Sequence, residues 1–98
     1  MKQYIVDAFT DKPFSGNPAA VCILEHAIPD ALMQSIAAEN NLAETAFVLR
    51  EGDAWRIRWF TPSMEEELCG HATLAASFVL LHFVEPDADE VRYSSVSR

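Results

Sequence analysis

The sequence predicts a barrel-like α+β domain in which a strongly curved sheet wraps around one apolar helix. Three observations carry this. Gly70 to Val84 contains no charged residue, so a helix there is apolar on every side and must be enclosed. Trp55, Ile57 and Trp59 alternate with Arg56 and Arg58, the period-two pattern of a half-buried strand. Several further short segments are rich in β-branched and aromatic residues, and a bent sheet is the economical way to enclose a helix.

The elements follow in order. Tyr4-Ile5-Val6-Asp7-Ala8-Phe9 reads as a first strand, and Thr10 to Pro18 as a turn region broken by Pro13, Gly16, Asn17 and Pro18. Ala19 to Leu24 is a second, apolar strand. Pro29-Asp30 marks a helix start with Asp30 as a possible cap. Leu32, Met33, Ile36 and Ala37 then share one helical face, and Asn40-Asn41 closes the helix, since asparagine tolerates the left-handed conformation of helix ends. Glu44 to Arg50 is a third strand, Gly52-Asp53 a hairpin turn, and Pro62 ends the strand of alternating tryptophans. Glu65-Glu66-Glu67 reads as a solvated acidic face. The apolar helix runs from about Gly70 to Phe83, with Pro86 beyond it, and Val91 to Ser94 is a possible last strand.

Composition bounds the function. Ninety-eight residues, half of them apolar, suffice for one domain over residues 1–98 and not for two. A net charge of −8 argues against nucleic acid or an anionic membrane as partner, because both require a basic face. The uncharged run is shorter than the roughly 20 residues of a membrane helix, and it carries His71, Thr73, Ser77 and His82. The N-terminus lacks a signal-peptide pattern. Cys22 and Cys69 form no disulfide framework, which fits a reduced, cytoplasmic setting. The chain stops at Ser97-Arg98 without a capping element, which suggests part of a longer protein.

Four positions could carry chemistry. Leu68-Cys69-Gly70-His71 stands where the apolar helix begins, and a helix N-terminus presents unpaired N–H groups to carboxylates and other anions. Cys69 there could have a lowered pKa and act as base or nucleophile, although a free cysteine is more often an inert core residue. His71 could pass protons or orient a carboxylate, or could simply be hydrogen-bonded at the helix end. Glycine at position 70 would let a ligand approach the backbone. Glu44, at a helix-to-strand junction among apolar residues, would gain proton affinity if desolvated; by spacing alone it reads rather as a solvated loop residue. Asn17 in Gly16-Asn17-Pro18 could fix a polar substrate or belong to a plain turn. His82, deep in the apolar run, reads as structural and His26 as a surface residue. Cys22, His26, Cys69 and His71 have C-x3-H and C-x-H spacings, far apart, which do not match structural zinc sites; no metal is expected.

Taken together, three ordered blocks resemble the phenazine-biosynthesis PhzF-like proteins: Val6-Asp7-Ala8-Phe9-Thr10 with Pro13 to Val21; Asn41-Leu42-Ala43-Glu44-Thr45-Ala46-Phe47-Val48; and Trp59-Phe60-Thr61-Pro62 with Glu65 and Leu68 to Ala75. The resemblance implies the diaminopimelate epimerase fold, two similar domains that are each a curved mixed sheet around a central helix, with the active site in the cleft between them. It implies isomerase-type proton shifts on a small carboxylate-bearing substrate, as with a dihydroanthranilate derivative, no cofactor or metal, and homodimers. Glu44 then matches the general acid/base glutamate, which reverses its reading as a loop residue. Gly70 and His71 match pocket residues, Asn17 a pocket asparagine, and Cys69 the catalytic thiol of racemases of the same fold. The chain resembles only the N-terminal domain. The expectation is an incomplete enzyme, inactive without its second domain, with a thiol-dependent epimerase half-site or a self-associating binding module as the alternatives.

Overall fold

The computed structural model describes residues 1–8, 17–88 and 90–95. The strands are β1 (Lys2–Ala8), β2 (Asn17–Leu24), β3 (Glu44–Glu51), β4 (Ala54–Phe60), β5 (Glu65–Glu66) and β6 (Tyr93–Ser95). Helix α1 (Asp30–Asn40) lies between β2 and β3, and α2 (Gly70–Val79) follows β5. The sheet order is β1-β2-β3-β4-β5, with β6 also paired to β4. The sheet is mixed: β2–β3 and β4–β6 are parallel, and the remaining pairs are antiparallel. Phe9 and residues 10–16 of the turn region read over Thr10 to Pro18 lie outside the described residues, and Asn17 and Pro18 belong to β2 rather than to that turn.

Local chemistry explains the connections. Asn41 takes the left-handed conformation (φ 52°, ψ 36°) and its N–H bonds to the Ala37 carbonyl, as a helix terminator does. Glu51 and Ala54 pair across the two-residue loop Gly52-Asp53, and Gly52 supplies the positive φ of 64° that the first position of a II′ hairpin turn demands. Parallel strands need a crossover, and α1 is the crossover from β2 to β3.

Strand alternation divides the core into two clusters. Ala19, Val21, Ala46, Val48, Trp55, Ile57 and Trp59 face α2, which meets them with Ala72, Ala75, Ala76, Val79 and Leu80. Cys22, Leu24, Phe47 and Phe60 face α1, which meets them with Met33 and Ala37. The central strands β2 and β3 are thus covered on both sides, which is why they read as continuous apolar runs rather than alternating ones. The alanine stripe brings α2 close to the sheet, because small side chains let a backbone approach.

Five expectations need correction. Asp30 does not cap α1. The cap position is Pro29, without a side-chain hydrogen bond, and the Asp30 carboxylate instead accepts from Arg58 Nη1 at 2.7 Å. Leu32 is largely exposed, unlike Met33 and Ala37 on the same helix. The apolar helix is not one regular element to Phe83: Leu80–Val84 widens into a π turn, with Glu85 N–H donating to the Leu80 carbonyl at 2.7 Å. Nor is the helix enclosed on all sides. Leu74, Phe78 and Phe83 are 45–57% exposed. His82 is exposed rather than deep and stacks on Phe78 with 4.2 Å between ring centroids. The described strands cover one side of α2, and its outer face stays open. Among the described residues no helix is long and apolar enough to cross a membrane.

Candidate active site

The site forms where the start of β3 meets the start of α2. Asn41 ends α1, and the Asn40 amide donates to the buried Thr45 hydroxyl at 3.2 Å. That bond pins the junction and makes Glu44 the first residue of β3. Glu44 shares the parity of Ala46 and Val48, so its side chain lies on the α2 face of the sheet. In the parallel register it stands beside Ala19.

The other wall is built by β4 and the turn after it. Thr61 Oγ1 accepts from the Ser63 and Met64 N–H groups at 3.2 and 3.0 Å, and Thr61 N–H donates to the Met64 carbonyl at 2.8 Å. This tight turn returns the chain so that Glu66 pairs with Trp59 and Glu65 with Phe60. Period-two geometry then sends the two glutamates to opposite faces. Glu65 goes to the α1 side, where its two oxygens accept from Arg58 Nε and Nη2, both at 2.8 Å. Glu66 goes to the α2 side with Trp59.

Cys69 caps α2. Its Sγ accepts from the Ala72 N–H at 3.5 Å, and its carbonyl accepts from the Thr73 hydroxyl at 2.8 Å. Thr73 in turn accepts from the Trp59 indole N–H at 2.9 Å. Trp59 therefore fastens the first turn of α2 to the sheet beside Glu44.

The electrostatics show what these elements bring together. Burial and then the Glu66 charge push the Glu44 carboxyl above its ordinary pKa of 4.5, against opposing pulls from His71 and a hydrogen bond with Cys69. Glu44 Oε1 is buried and has no hydrogen-bond partner among the described residues. Burial also raises the Cys69 thiol, and the Glu44 and Glu66 charges add to the rise; the Ala72 and His71 N–H groups oppose it. A lowered thiol pKa was the expectation from its place at a helix start. The helix donors do act in that direction, but burial and two carboxylates outweigh them.

Glu44, Cys69 and His71 thus lie together. Gly70 opens α2 and is exposed, and a Cβ built on it would meet no protein atom within 4 Å. Neither packing nor backbone strain requires glycine there. Asn17 begins β2 opposite Ala8, and its side chain lies outside the described residues. Cys22 belongs to the α1-side cluster and donates to Gln3 Oε1 at 3.1 Å, while His26 is exposed; neither approaches Cys69 through its own cluster. The participant missed by sequence reasoning is Glu66, taken for part of a solvated face. Three adjacent glutamates on an extended segment cannot share one face, and that was the available signal.

Comparison with known proteins agrees with this architecture. The family model described as phenazine biosynthesis-like protein matches residues 6–97. An uncharacterized isomerase of Pseudomonas aeruginosa is 59% identical over 94% of this chain. A human phenazine biosynthesis-like domain-containing protein is 47% identical over 84% of it. A Clostridium difficile structure of a PhzC/PhzF protein superposes with a TM-score of 0.87 at 52% identity, covering 93% of this chain and 35% of that one. A predicted epimerase of P. aeruginosa superposes at 0.75 with 33% identity, over 84% of this chain and 30% of its own. The chain spans about a third of the length of these relatives, 35% and 31% for the first two. The mixed sheet packed on α2, the three sequence blocks and these matches lead to one conclusion: this chain belongs to the PhzF family of phenazine biosynthesis-like proteins, with the diaminopimelate epimerase-like fold.

Proposed function

We propose that this chain forms one wall of an isomerase site in which Glu44 is the general acid/base for a proton shift on a small carboxylate-bearing substrate. The observation that carries the reading is the state of Glu44: one oxygen buried without a partner, and the carboxyl raised by burial and a neighbouring charge. Such a carboxyl binds a proton taken from carbon firmly enough to return it at another position. The carbon–hydrogen bond breaks toward Glu44, the electron pair moves within the substrate, and Glu44, whose proton exchanges with solvent while it sits on the carboxyl, delivers a proton to form the new carbon–hydrogen bond. The substrate carboxylate lies against the start of α2, near Gly70 and His71, at the positive end of the helix dipole. The empty space beside Gly70 suits close approach of a ligand to the backbone. No step in this scheme uses a cofactor or metal.

The reading also draws on the isomerase and epimerase names of the relatives. Their greater length supports a site completed by a second domain, with the chain alone inactive. A thiol-based racemase reading would make Cys69 a base. The influences that keep this thiol protonated favour the carboxylate instead.

The test is solvent exchange. A dihydroanthranilate-type carboxylate is incubated with the intact protein in deuterium oxide, and incorporation at carbon is followed by NMR. Glu44→Gln should slow incorporation by about 100-fold or more, with an unchanged circular dichroism spectrum. Exchange at the wild-type rate would overturn the assignment.

A further inference from the structure

We propose that Glu66 is a positioning residue for Glu44, a second carboxylate held beside the proton-transferring one by the return of the chain after Thr61. The inference rests on the reading of Glu44 as acid/base and adds the group that sets its working range.

Geometry carries it. Ala46, Trp59 and Glu66 form one row across β3, β4 and β5, by the registers Ala46–Trp59 and Trp59–Glu66. Ala46 and Trp59 both face α2, so Glu66 does too. Glu44 is two residues from Ala46 on the same side. Its neighbour Glu65 is taken up by Arg58 on the opposite face. Among the described residues no lysine or arginine pairs with Glu66. Glu66 is half-buried, which limits screening by water.

Like charges that share a water-poor corner resist ionising together. Among the described residues the charged and titratable groups facing Glu44 are Glu66 on β5 and Cys69 and His71 at the start of α2. Of these, Glu66 and the burial of the site raise the affinity of Glu44 for a proton, and His71 and Cys69 lower it. Glu66 therefore keeps the proton on Glu44 long enough for its return to the substrate. It touches no reacting atom in this account. Its role is to hold the acid form of Glu44 available at a pH where an ordinary glutamate has lost it.

The experiment is an NMR titration of the Glu44 carboxyl carbon in the intact protein, its resonance identified by its loss in Glu44→Gln. Glu66→Gln should move the midpoint down, toward that of an ordinary glutamate. Glu66→Asp should keep it raised. Glu67→Gln, which removes an exposed neighbouring charge, should leave it in place. The acid limb of the pH profile for deuterium incorporation should move to lower pH in Glu66→Gln, because the base form of Glu44 then persists further into acid. An unmoved midpoint in Glu66→Gln, or an equal shift in Glu67→Gln, would overturn the proposal. If Glu44→Gln retained full exchange while Glu66→Gln still moved the midpoint, the functional reading would fall and the pairing of the carboxylates would stand.

Discussion

A carboxylate in a water-poor corner costs the folded state stability whenever it is charged. Glu44 binds its proton more tightly folded than unfolded. Its unfavourable effect is absent below its ordinary pKa of 4.5 and grows as pH rises through the higher folded value. Asp30 has the opposite sign. A hydrogen bond from Arg58 and then the Arg58 charge hold it below its ordinary 3.8, so its contribution is present above that value and is lost as pH falls through the lower folded one. Glu85 behaves like Asp30, held down by hydrogen bonds from Trp55 and Arg50. Glu44→Gln should therefore stabilise the protein at neutral pH by on the order of a few tenths of a kcal/mol, because water screens this part-exposed carboxyl, and the gain should vanish near pH 4 or below. Thermal melts of the two proteins at pH 7 and pH 4 check this; an equal difference at both would contradict the raised carboxyl. Residue identities at the site were legible in the motif blocks around Glu44 and Leu68 to Ala75. The proton affinity of Cys69 was not, because it depends first on burial and then on two carboxylates brought from β3 and β5.

At the scale of elements, Arg58 joins α1, β4 and β5. It is mostly buried and reaches Asp30 at 2.7 Å and Glu65 at 2.8 Å. Its ring neighbour is Phe60, 5.5 Å from the guanidinium carbon to the centroid. Replacing Arg58 by Met keeps the stem and strands the half-buried Glu65 without its fork. The expected loss is about 1–2 kcal/mol in urea denaturation, and β5 carries Glu66, so the site should loosen as well. An unchanged midpoint would show that the fork is not what holds β5. The hairpin β3–β4, helix α1 and the tryptophan strand could all be read beforehand, since each has a long period or a specific turn residue. Strand β5 could not. Two residues offer no periodicity, and its place depends on the Thr61 turn. The start of α1 at Asp30 was legible, but its cap was not: Asp30 has a stronger partner in Arg58 than the backbone N–H groups it might have capped.

The whole molecule places every charged actor at one end of α2 and leaves the helix's outer face apolar and open. Enclosure of that helix was inferred from its composition. The described strands enclose the alanine side only, with Leu74, Phe78 and Phe83 exposed. Composition reports that a surface is apolar and is silent on what covers it. The relatives are about three times as long as this chain, which covers 35% of the first of them. What the fold does settle is the meeting of β3 with the N-terminus of α2, and the account stands on that meeting. It is tested most directly by the alkylation rate of Cys69 with iodoacetamide at pH 8, in wild type and Glu44→Gln. Cys22 is fully buried and should stay silent. Removing the neighbouring charge should increase the thiolate fraction of Cys69 and speed alkylation severalfold. Equal rates in the two proteins would mean that Glu44 and Cys69 do not share a site.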